Sequence, residues 1–343
     1  MHPPSEVVVI GGTGFIGSHL VRELRRREVA VRTVTRRPPV RPHQPGLTYI
    51  QGDLSHPDSL RQAIEGSSVV FHLATGGGAT WAEFERDFVH ATRRVAQLCL
   101  ESGVHRLIYT SSIAALFLGR RCKIDERTGP DPQPHNRSMY SRAKVAAEQV
   151  LREMHAQYGL PVVIVRPGVV VGPGGFLQHG GVGNWASDLC SVGWGRGNEP
   201  LPLVLAEDVA SAMASAMDAP GIDGCTFNLV GDVRPTAAEF VDALADRSHR
   251  NFRFYPQSLW KLQTLEIAKW VLKIAARKPD NQFPSYRDLV TRALRSQFDC
   301  SAAKEMLGWH PVADREQFLQ QAIDANLPTI KAGDLRLVAA SAR

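Results

Sequence analysis

A tyrosine and a lysine four residues apart offer the most specific chemistry in this chain of 343 residues. Among its six tyrosines, only Tyr140 has a lysine at that spacing, in the segment YSRAK that ends at Lys144. On a helix, residues i and i+4 share a face, so both side chains would point at one site. A lysine ammonium beside a phenol favours phenolate and lowers the phenol pKa, which is ordinarily about 10. We therefore expect Tyr140 to transfer a proton and to have a lowered pKa.

Ser112 ends the strand-like segment RLIYTSS, residues 106–112. Ligands of open α/β folds bind at the carboxyl ends of parallel strands, so this serine would lie at the ligand-binding edge of a sheet. Ser112, Tyr140 and Lys144 together form a proton-transfer set suited to a nicotinamide cofactor. Ser112 would hydrogen-bond the substrate oxygen, and Lys144 would also hold the nicotinamide ribose. The positive charge of an oxidised nicotinamide would lower the Tyr140 pKa further.

The segment VVVIGGTGFIGSHL, residues 7–20, passes from a strand-like run to a helix-like run through four glycines. Three of them have the spacing Gly11-x-x-Gly14-x-x-Gly17. At the first turn of a βαβ unit, glycine lets the backbone approach a pyrophosphate, and the amides of the helix N-terminus bind it. The turn therefore predicts a dinucleotide site formed by Gly11, Thr13, Gly14, Phe15, Ile16 and Gly17.

The residues after the second strand predict which dinucleotide binds. NAD-selective sites place a carboxylate there for the ribose 2′-hydroxyl. This chain instead has Thr35-Arg36-Arg37, with Arg32 just before, and guanidinium groups pair well with a 2′-phosphate. NADP is therefore the favoured cofactor and NAD the alternative. Four further residues would line the cofactor's path: Asp53 and Leu54 near the adenine, and Ala74 and Thr75 after the fourth strand.

Short apolar runs alternate with helical patterns over the first half of the chain. Strands are predicted at 6–10, 30–35, 47–53, 68–74, 106–112 and 161–167, and helices at 15–27, 57–65, 82–102 and 139–157. Such alternation predicts βαβ units and a parallel sheet covered on both faces. The expected fold is α/β, a Rossmann-type doubly wound parallel sheet with a smaller, mainly helical C-terminal substrate lobe.

The alternation stops after Gly172. Residues 172–200 hold nine glycines and are interpreted as loop, while 201–217 predict a short strand and a helix, and 225–231 another strand. We therefore expect an NAD(P)-binding domain over 1–172, continued by 201–231. A substrate-binding lobe is expected from 173–200 and 232–330, followed by a tail over 331–343.

Composition narrows the function classes. The chain is 43% hydrophobic with a net charge of +6, and no run is long enough for a stable membrane span or a leader peptide. Five scattered cysteines without CxxC spacing predict reduced thiols and a cytoplasmic protein, and the histidines show no metal-ligand spacing. We expect a small-molecule substrate, no metal and no nucleic acid, and leave a homodimer open. Residues 259–278 predict a basic amphipathic helix, which we expect to pack on the core or a partner subunit rather than on a membrane.

The chain resembles extended short-chain dehydrogenases/reductases of the NAD-dependent epimerase/dehydratase superfamily over roughly 6–330. The resemblance rests on eight segments in order: VIGGTGFIG (9–17), GDL (52–54), FHLAT (71–75), YTSS (109–112), YSRAK (140–144), RPGVVVGPG (166–174), LVLAEDVASA (203–212) and FNLVG (227–231). It implies that Pro167, Gly168 and Val169 contact the nicotinamide end and that Asp208 begins the return to the Rossmann portion. One departure is Phe88, which stands where the family often has asparagine.

Three functions are compatible with these residues. The first is an NADP-dependent oxidoreductase that interconverts a carbonyl and a secondary alcohol, favoured by Pro167-Gly168 after the sixth strand. The second is a nucleotide-sugar epimerase or dehydratase with tightly bound NAD(P), which often has asparagine at that place. The third is a non-catalytic NADP-sensing protein, against which the complete set of Ser112, Tyr140 and Lys144 argues.

Overall fold

The computed structural model describes residues 6–38, 44–277 and 283–329. The strands are β1 (Val7–Ile10), β2 (Val31–Thr35), β3 (Leu47–Gln51), β4 (Val69–His72), β5 (Arg106–Thr110), β6 (Lys123–Ile124), β7 (Val162–Pro167), β8 (Val169–Val171), β9 (Asn184–Ser187), β10 (Cys190–Val192), β11 (Leu203–Leu205), β12 (Thr226–Leu229), β13 (Arg253–Tyr255) and β14 (Gln297–Phe298). The α-helices are α1 (Phe15–Arg26), α2 (Pro57–Ile64), α3 (Trp81–Phe84), α4 (Ala91–Glu101), α5 (Met139–Tyr158), α6 (Ala206–Ser215), α7 (Ala237–Ser248), α8 (Leu259–Ala275), α9 (Tyr286–Arg292), α10 (Ser301–Leu307) and α11 (Arg315–Ala322).

Seven parallel strands form the central sheet, in the order β3-β2-β1-β4-β5-β7-β12. Successive side chains of a strand point to opposite faces. In β1, Val7 and Val9 accordingly enter one apolar layer, with α1 and α6, while Val8 and Ile10 enter the other, with α2, α4 and α5. Helices thus cover both faces, which explains the uninterrupted apolar strands and confirms the predicted doubly wound fold.

The long helix predicted over 82–102 is interrupted by a π-helical turn. Helix α3 begins at a capping box formed by Thr80 and Glu83, residues 85–90 form the π-turn, and α4 continues from it. The turn packs closely on Gly76, where a Cβ atom would lie 2.0 Å from the Asp87 carbonyl oxygen. A wider turn at this place sets the direction of Phe88, which faces the candidate active site.

The interpretation of 172–200 as loop is wrong for part of that segment. Strands β9 and β10 form an antiparallel hairpin there, and β13 joins it in parallel. Glycine serves close packing here: a Cβ on Gly183 would lie 2.4 Å from Ser191 Oγ, and one on Gly193 would lie 2.3 Å from the Phe254 ring. The glycines of residues 172–200 therefore allow close packing of neighbouring groups against the backbone as well as turns.

The segment around Trp309, between α10 and α11, contacts the start of α6. Trp309 is buried and its Nε1 donates to the Asp208 carbonyl at 2.8 Å, while the Val312 amide donates to the Asp208 carboxylate at 3.1 Å. Asp208 therefore joins the start of α6 to the C-terminal helices. The predicted tail at 331–343 lies outside the described residues.

Helix α8 does not pack on the core along its length. Only Leu259 and Gln263 of its residues are buried, so the expectation of a core-packed helix is wrong, and packing on a partner subunit stays a prediction. Among the described residues, no helix is both long and apolar enough to cross a bilayer.

Candidate active site and cofactor cleft

The glycine turn brings the backbone of β1 and α1 into close contact. Gly11 has φ +94°, and a Cβ on Gly17 would lie 2.2 Å from the Gly11 carbonyl oxygen. Gly17 is therefore buried against the turn and lines neither of the clefts described below. Gly14 is the N-cap of α1 and provides no side-chain hydrogen bond, so the first amides of that helix are left for a ligand.

A cleft of about 730 Å³ lies at the carboxyl ends of β1, β2 and β4. Eight of the predicted cofactor residues line it: Gly11, Thr13, Gly14, Arg36, Asp53, Leu54, Ala74 and Thr75. The Asp53 carboxylate accepts the Ser55 amide at 2.8 Å and the Ser55 hydroxyl at 2.6 Å, and these hydrogen bonds lower the pKa of Asp53. One oxygen of this carboxylate is thus already engaged within the protein.

The predicted arginines are divided between two places. Arg36 lines the cleft, while Arg37 lines an adjacent cavity of about 480 Å³ together with Arg22 and Arg25. Thr13 lines both, and its hydroxyl lies 3.3 Å from that of Thr35. Arg32 instead pairs with Glu6 at 2.6 Å and serves the sheet rather than the cleft.

A second cavity, of about 1040 Å³, lies where β5, β7 and α5 meet. It brings together seven of the predicted residues: Ser112, Tyr140, Phe15, Ile16, Pro167, Gly168 and Val169. Ser112 follows β5, and its Oγ accepts the Ala114 amide at 3.1 Å. The Tyr140 ring is 40% exposed, into this cavity.

The pKa of Tyr140 is raised, because desolvation of the phenol outweighs the lowering effect of the Ser112 side chain. The expectation of a lowered pKa is therefore wrong for the protein alone. Ser112 and Tyr140 nonetheless line the same cavity. At neutral pH the phenol is protonated and can donate a proton.

Lys144 lies one turn along α5 from Tyr140 and is 2% exposed. Its Nζ donates to the Thr110 carbonyl at 2.6 Å and stands 5.0 Å from the ring centre of Phe88, 5.0 Å from that of Tyr109 and 5.7 Å from that of Tyr140. Desolvation lowers the pKa of Lys144 to about 7, with the Glu148 charge opposing. Lys144 lines neither cavity. Its predicted contact with a ribose therefore requires the buried side chain to change its position.

A buried ion pair holds α5 against the central sheet. Glu148, two turns after Tyr140, accepts from Arg166 Nε at 2.8 Å and Nη2 at 2.6 Å, and from the Ser111 hydroxyl at 2.6 Å. Burial alone would raise the pKa of Glu148, but these partners lower it overall. The pair fixes α5 against β7 and against the end of β5, next to Ser112.

Residues 7–229 match the family model of the NAD dependent epimerase/dehydratase family. The chain belongs to this family. It is an extended short-chain dehydrogenase/reductase, an enzyme of the oxidoreductase or epimerase type.

The proteins to which this chain is similar include a dehydrogenase and a dehydratase. It is 27% identical over 324 residues to the y4nG protein of Sinorhizobium fredii, covering 91% of this chain and 76% of that protein. It is 30% identical over 177 residues to a 3-beta-hydroxysteroid dehydrogenase of Mycolicibacterium neoaurum, a match that spans 49% of this chain and about half, 48%, of the relative. The dTDP-glucose 4,6-dehydratase DesIV from Streptomyces venezuelae, solved with NAD and TYD, has TM-score 0.72 and 21% identity, covering 94% of this chain and 96% of that one.

Phe88 is the aromatic residue that faces both Tyr140 and Lys144. Its buried ring stands at right angles to Tyr140, with centres 6.3 Å apart, and also faces Lys144. An aromatic ring attracts a cation but accepts no conventional hydrogen bond. On this side the Lys144 ammonium therefore has an aromatic ring as its neighbour and no hydrogen-bond acceptor from residue 88.

The sequence analysis did not predict some of the residues that line the two clefts. Arg86 and Asp87 line the first cleft as an ion pair with Nε–Oδ1 2.7 Å, and Phe176, Trp185 and Trp194 line the second. The glycine run 76–78 after β4 was a usable signal, because it marks close approach of backbone. The three aromatic residues carry no spacing that points to the cavity, since separate loops and the β9–β10 hairpin bring them there.

Proposed function

We propose that this enzyme is an NADP(H)-dependent oxidoreductase that interconverts a carbonyl and a secondary alcohol. The observation that carries the proposal is that Ser112 and Tyr140 line the same cavity, together with aromatic and aliphatic side chains. The 3-beta-hydroxysteroid dehydrogenase relative has a name that fits this reaction type.

The shape of the two clefts fits a dinucleotide. The first cleft follows a glycine turn that a Cβ would fill, and α1 offers amides without a side-chain cap. The second cavity shares the Phe15 and Ile16 end of α1 with this turn, so one extended molecule would reach both. Gly11, Thr13 and Gly14 would hold the pyrophosphate, and Pro167, Gly168 and Val169 would contact the nicotinamide. When bound, NADP(H) supplies or accepts the hydride at the carbon that carries the reacting oxygen.

The hydroxyl pair performs the proton chemistry. Ser112 Oγ accepts from the Ala114 amide, so its own hydrogen can be donated to a substrate oxygen or to Tyr140. Tyr140 is protonated at neutral pH and gives its proton to the oxygen as the carbonyl is reduced. The Lys144 cation, where present, stabilises the phenolate that remains. In the oxidation direction the same groups remove the alcohol proton.

The charges around the second cavity favour an uncharged substrate over a nucleotide sugar. Arg137 pairs with Asp131 at 2.7 Å and Asp288 at 3.3 Å, and Arg292 pairs with Asp288 at 3.0 Å. Both guanidinium groups are thus already engaged with carboxylates. A diphosphate would have to compete for them, whereas an apolar carbonyl compound would contact rings such as Phe176 and Trp185.

The test is NADPH oxidation, followed at 340 nm, with a panel of aromatic, steroid-like and aliphatic carbonyls. Tyr140→Phe removes only a hydroxyl and should reduce turnover by roughly 10²–10⁴ while NADP(H) binding persists. Tyr158→Phe is the matched control, because Tyr158 is exposed at the far end of α5, and it should leave turnover unchanged. Near-normal turnover of Tyr140→Phe, or conversion of UDP-sugars with no net absorbance change, would contradict the proposal.

The preference for NADP(H) is a separate proposal and rests on Arg36 and Arg37. The two side chains flank Thr13 from adjacent cavities, and Arg22 and Arg25 add positive charge on the Arg37 side. A charge-assisted contact to phosphate contributes about 1.5–3 kcal/mol, which corresponds to roughly ten- to hundredfold in affinity. We expect NADP(H) to bind at least about tenfold more tightly than NAD(H), with the difference narrowing as salt rises.

Titration of both cofactors against Arg36→Ala/Arg37→Ala measures this preference. The double variant should lose most of the difference and hardly change NAD(H) affinity. Arg61→Ala is the control, because Arg61 is an exposed arginine of α2 that pairs with Glu101 at 2.8 Å. Equal wild-type affinities would mean that the two arginines belong to the solvated basic surface.

A further inference from the structure

Helix α8 presents a large apolar surface to solvent. Thirteen large apolar side chains are exposed among the described residues, and seven of them belong to α8 and the segment that follows: Trp260, Leu265, Val271, Leu272, Ile274, Phe283 and Tyr286. Trp260 is 68% exposed and Leu272 is 69% exposed. A patch of this size on one short region is typical of an interaction surface rather than of ordinary solvent exposure.

The helix is held along one side only. Gln263 Nε2 donates to the Pro284 carbonyl at 2.8 Å, and edge-to-face ring contacts join Trp260 to Tyr286 and Trp270 to Phe283. On the opposite side, Leu265 and Leu272 are each more than half exposed, and Lys261 lies on the same face, one turn before Leu265. Val271 is also more than half exposed and lies on the same edge of the helix as Trp260.

Basic residues lie among and beside these apolar side chains. Helix α8 has three lysines, at 261, 269 and 273, against one glutamate, and Arg277 follows its end. Lys269 and Lys273 are one turn apart and so lie on the same edge of the helix, where Lys269 pairs with Glu266 at 2.8 Å. Exposed leucines together with lysines on the outward side of a helix are suited to contact with a lipid headgroup layer.

The surface adjoins the entrance to the candidate active site. Leu259 and Trp260, at the start of α8, line a cavity of about 720 Å³. Gly181, Trp194 and Arg292 line both this cavity and the one that holds Ser112 and Tyr140. A surface bound along α8 would therefore lie next to the route by which a substrate reaches the hydroxyl pair.

We infer that α8 docks on an anionic lipid bilayer, with its apolar side in the headgroup layer. Negative lipids complement the lysines and Arg277, and each basic group near such a surface adds to binding. A second copy of this chain would bring an identical positive edge against the first, which like-charge repulsion disfavours. A lipid surface is thus the occupant that satisfies both the apolar area and the charge.

Flotation of the full chain with lipid vesicles tests this directly, without cofactor or substrate, so its outcome is independent of the proposed reaction. Vesicles of phosphatidylcholine alone are compared with vesicles that also contain phosphatidylglycerol. We expect binding to the anionic vesicles, weaker binding as salt rises, and little binding to the neutral ones. Leu265→Glu/Leu272→Glu should weaken anionic vesicle binding at least about tenfold, since it replaces two apolar contacts with charges that the lipids repel.

Tyr158→Glu/Met306→Glu is the matched control, because it places the same charges at exposed apolar positions away from α8. It should bind vesicles like wild type, and thermal melts should show that both variants fold. Failure of the wild type to bind anionic vesicles would overturn the inference, as would equal loss of binding in both variants. Light scattering that shows a wild-type dimer, dissociated by the α8 variant, together with no vesicle binding, would assign the surface to a second copy instead.

Discussion

At the scale of single residues, Lys144 is the group whose environment differs most from its sequence-based expectation. The spacing from Tyr140 predicted a lysine ammonium that lowers the phenol pKa, whereas burial lowers the pKa of Lys144 to about 7 and raises that of Tyr140. Identity and spacing were visible in the sequence. The degree of desolvation was not, because it depends on rings from β5 and from the π-turn that close over the ammonium.

The Lys144 pKa predicts a pH dependence of carbonyl reduction. The folded pKa is depressed, so the cation is present below about pH 7 and is lost as the pH rises through that value. If the cation stabilises the phenolate, kcat/KM for reduction should decline above neutral pH, since this ratio reports the free enzyme. Phe88→Asn should move that decline to higher pH by about one unit, because an amide oxygen solvates an ammonium better than a ring does.

Phe88→Leu is the matched control, since it keeps the apolar contact and removes the ring. Its decline should stay in place or move to lower pH, because Leu offers no attraction to the cation. Thermal melts identify any general loss of folding in the two variants. A pH profile that is the same in all three proteins would show that Lys144 does not titrate in the catalytic range.

At the scale of elements, the first half of the chain was predictable and the second half was so only in part. Six strands of the central sheet, β1 to β5 and β7, follow the sequence patterns because each buries apolar residues, whereas the two-residue strand β6 was not predicted. The β9–β10 hairpin and β13 were missed because most of their side chains are not buried, so they show no regular apolar period. The π-turn at 85–90 was also missed, since its close packing on the backbone of Gly76 is not visible in the sequence of the helix.

Gly76→Ala tests whether this contact positions the π-turn. The added Cβ would lie 2.0 Å from the Asp87 carbonyl oxygen and 2.4 Å from its carbon, and backbone atoms cannot rotate away as a side chain can. Overpacking of this kind costs about 1–3 kcal/mol of the free energy of unfolding. The shifted turn carries Asp87 and Phe88, so we expect weaker cofactor binding as well as lower stability, measured by titration and by urea unfolding.

Gly129→Ala provides the control, because a Cβ at Gly129 would meet no atom within 4 Å. It should change neither the free energy of unfolding nor cofactor affinity by a measurable amount. If Gly76→Ala behaves in the same way, the turn tolerates displacement and its close packing on Gly76 has no functional consequence.

At the scale of the whole molecule, one buried carboxylate joins α9 to the start of α5. Asp131 is buried and accepts from Arg137, just before α5, and from Arg287 of α9. Asp288 of α9 accepts the Ser138 amide at 2.9 Å, two residues before Tyr140. The docking of α9 and the placement of Tyr140 are therefore coupled through the same cluster, a link between distant segments that no local sequence pattern indicates.

Asp131→Asn should reveal the strength of this link. It leaves the two arginines beside a neutral amide, and loss of one partner from a buried ion pair typically costs about 3–5 kcal/mol of the free energy of unfolding. Burial alone would raise the pKa of Asp131, but hydrogen bonds from Arg287, the Gln133 amide and Arg137 lower it overall. The carboxylate thus stabilises the fold at pH values above the unfolded pKa of about 3.9, and this contribution is lost as the pH falls through the lower folded pKa.

Urea unfolding at pH 7 and at pH 3 separates this charge effect from a general packing defect. The stability difference between wild type and Asp131→Asn should be large at pH 7 and smaller at pH 3. Near pH 3 the unfolded wild type takes up a proton at Asp131, whose unfolded pKa is about 3.9, while the folded carboxylate has a lower pKa and resists protonation. Asp218→Asn, which changes an exposed aspartate after α6, should differ little from wild type at either pH. A difference for Asp131→Asn that is equally large at both pH values would mean that shape, and not the ion pairs, makes Asp131 important to the coupling of α9 with the catalytic helix.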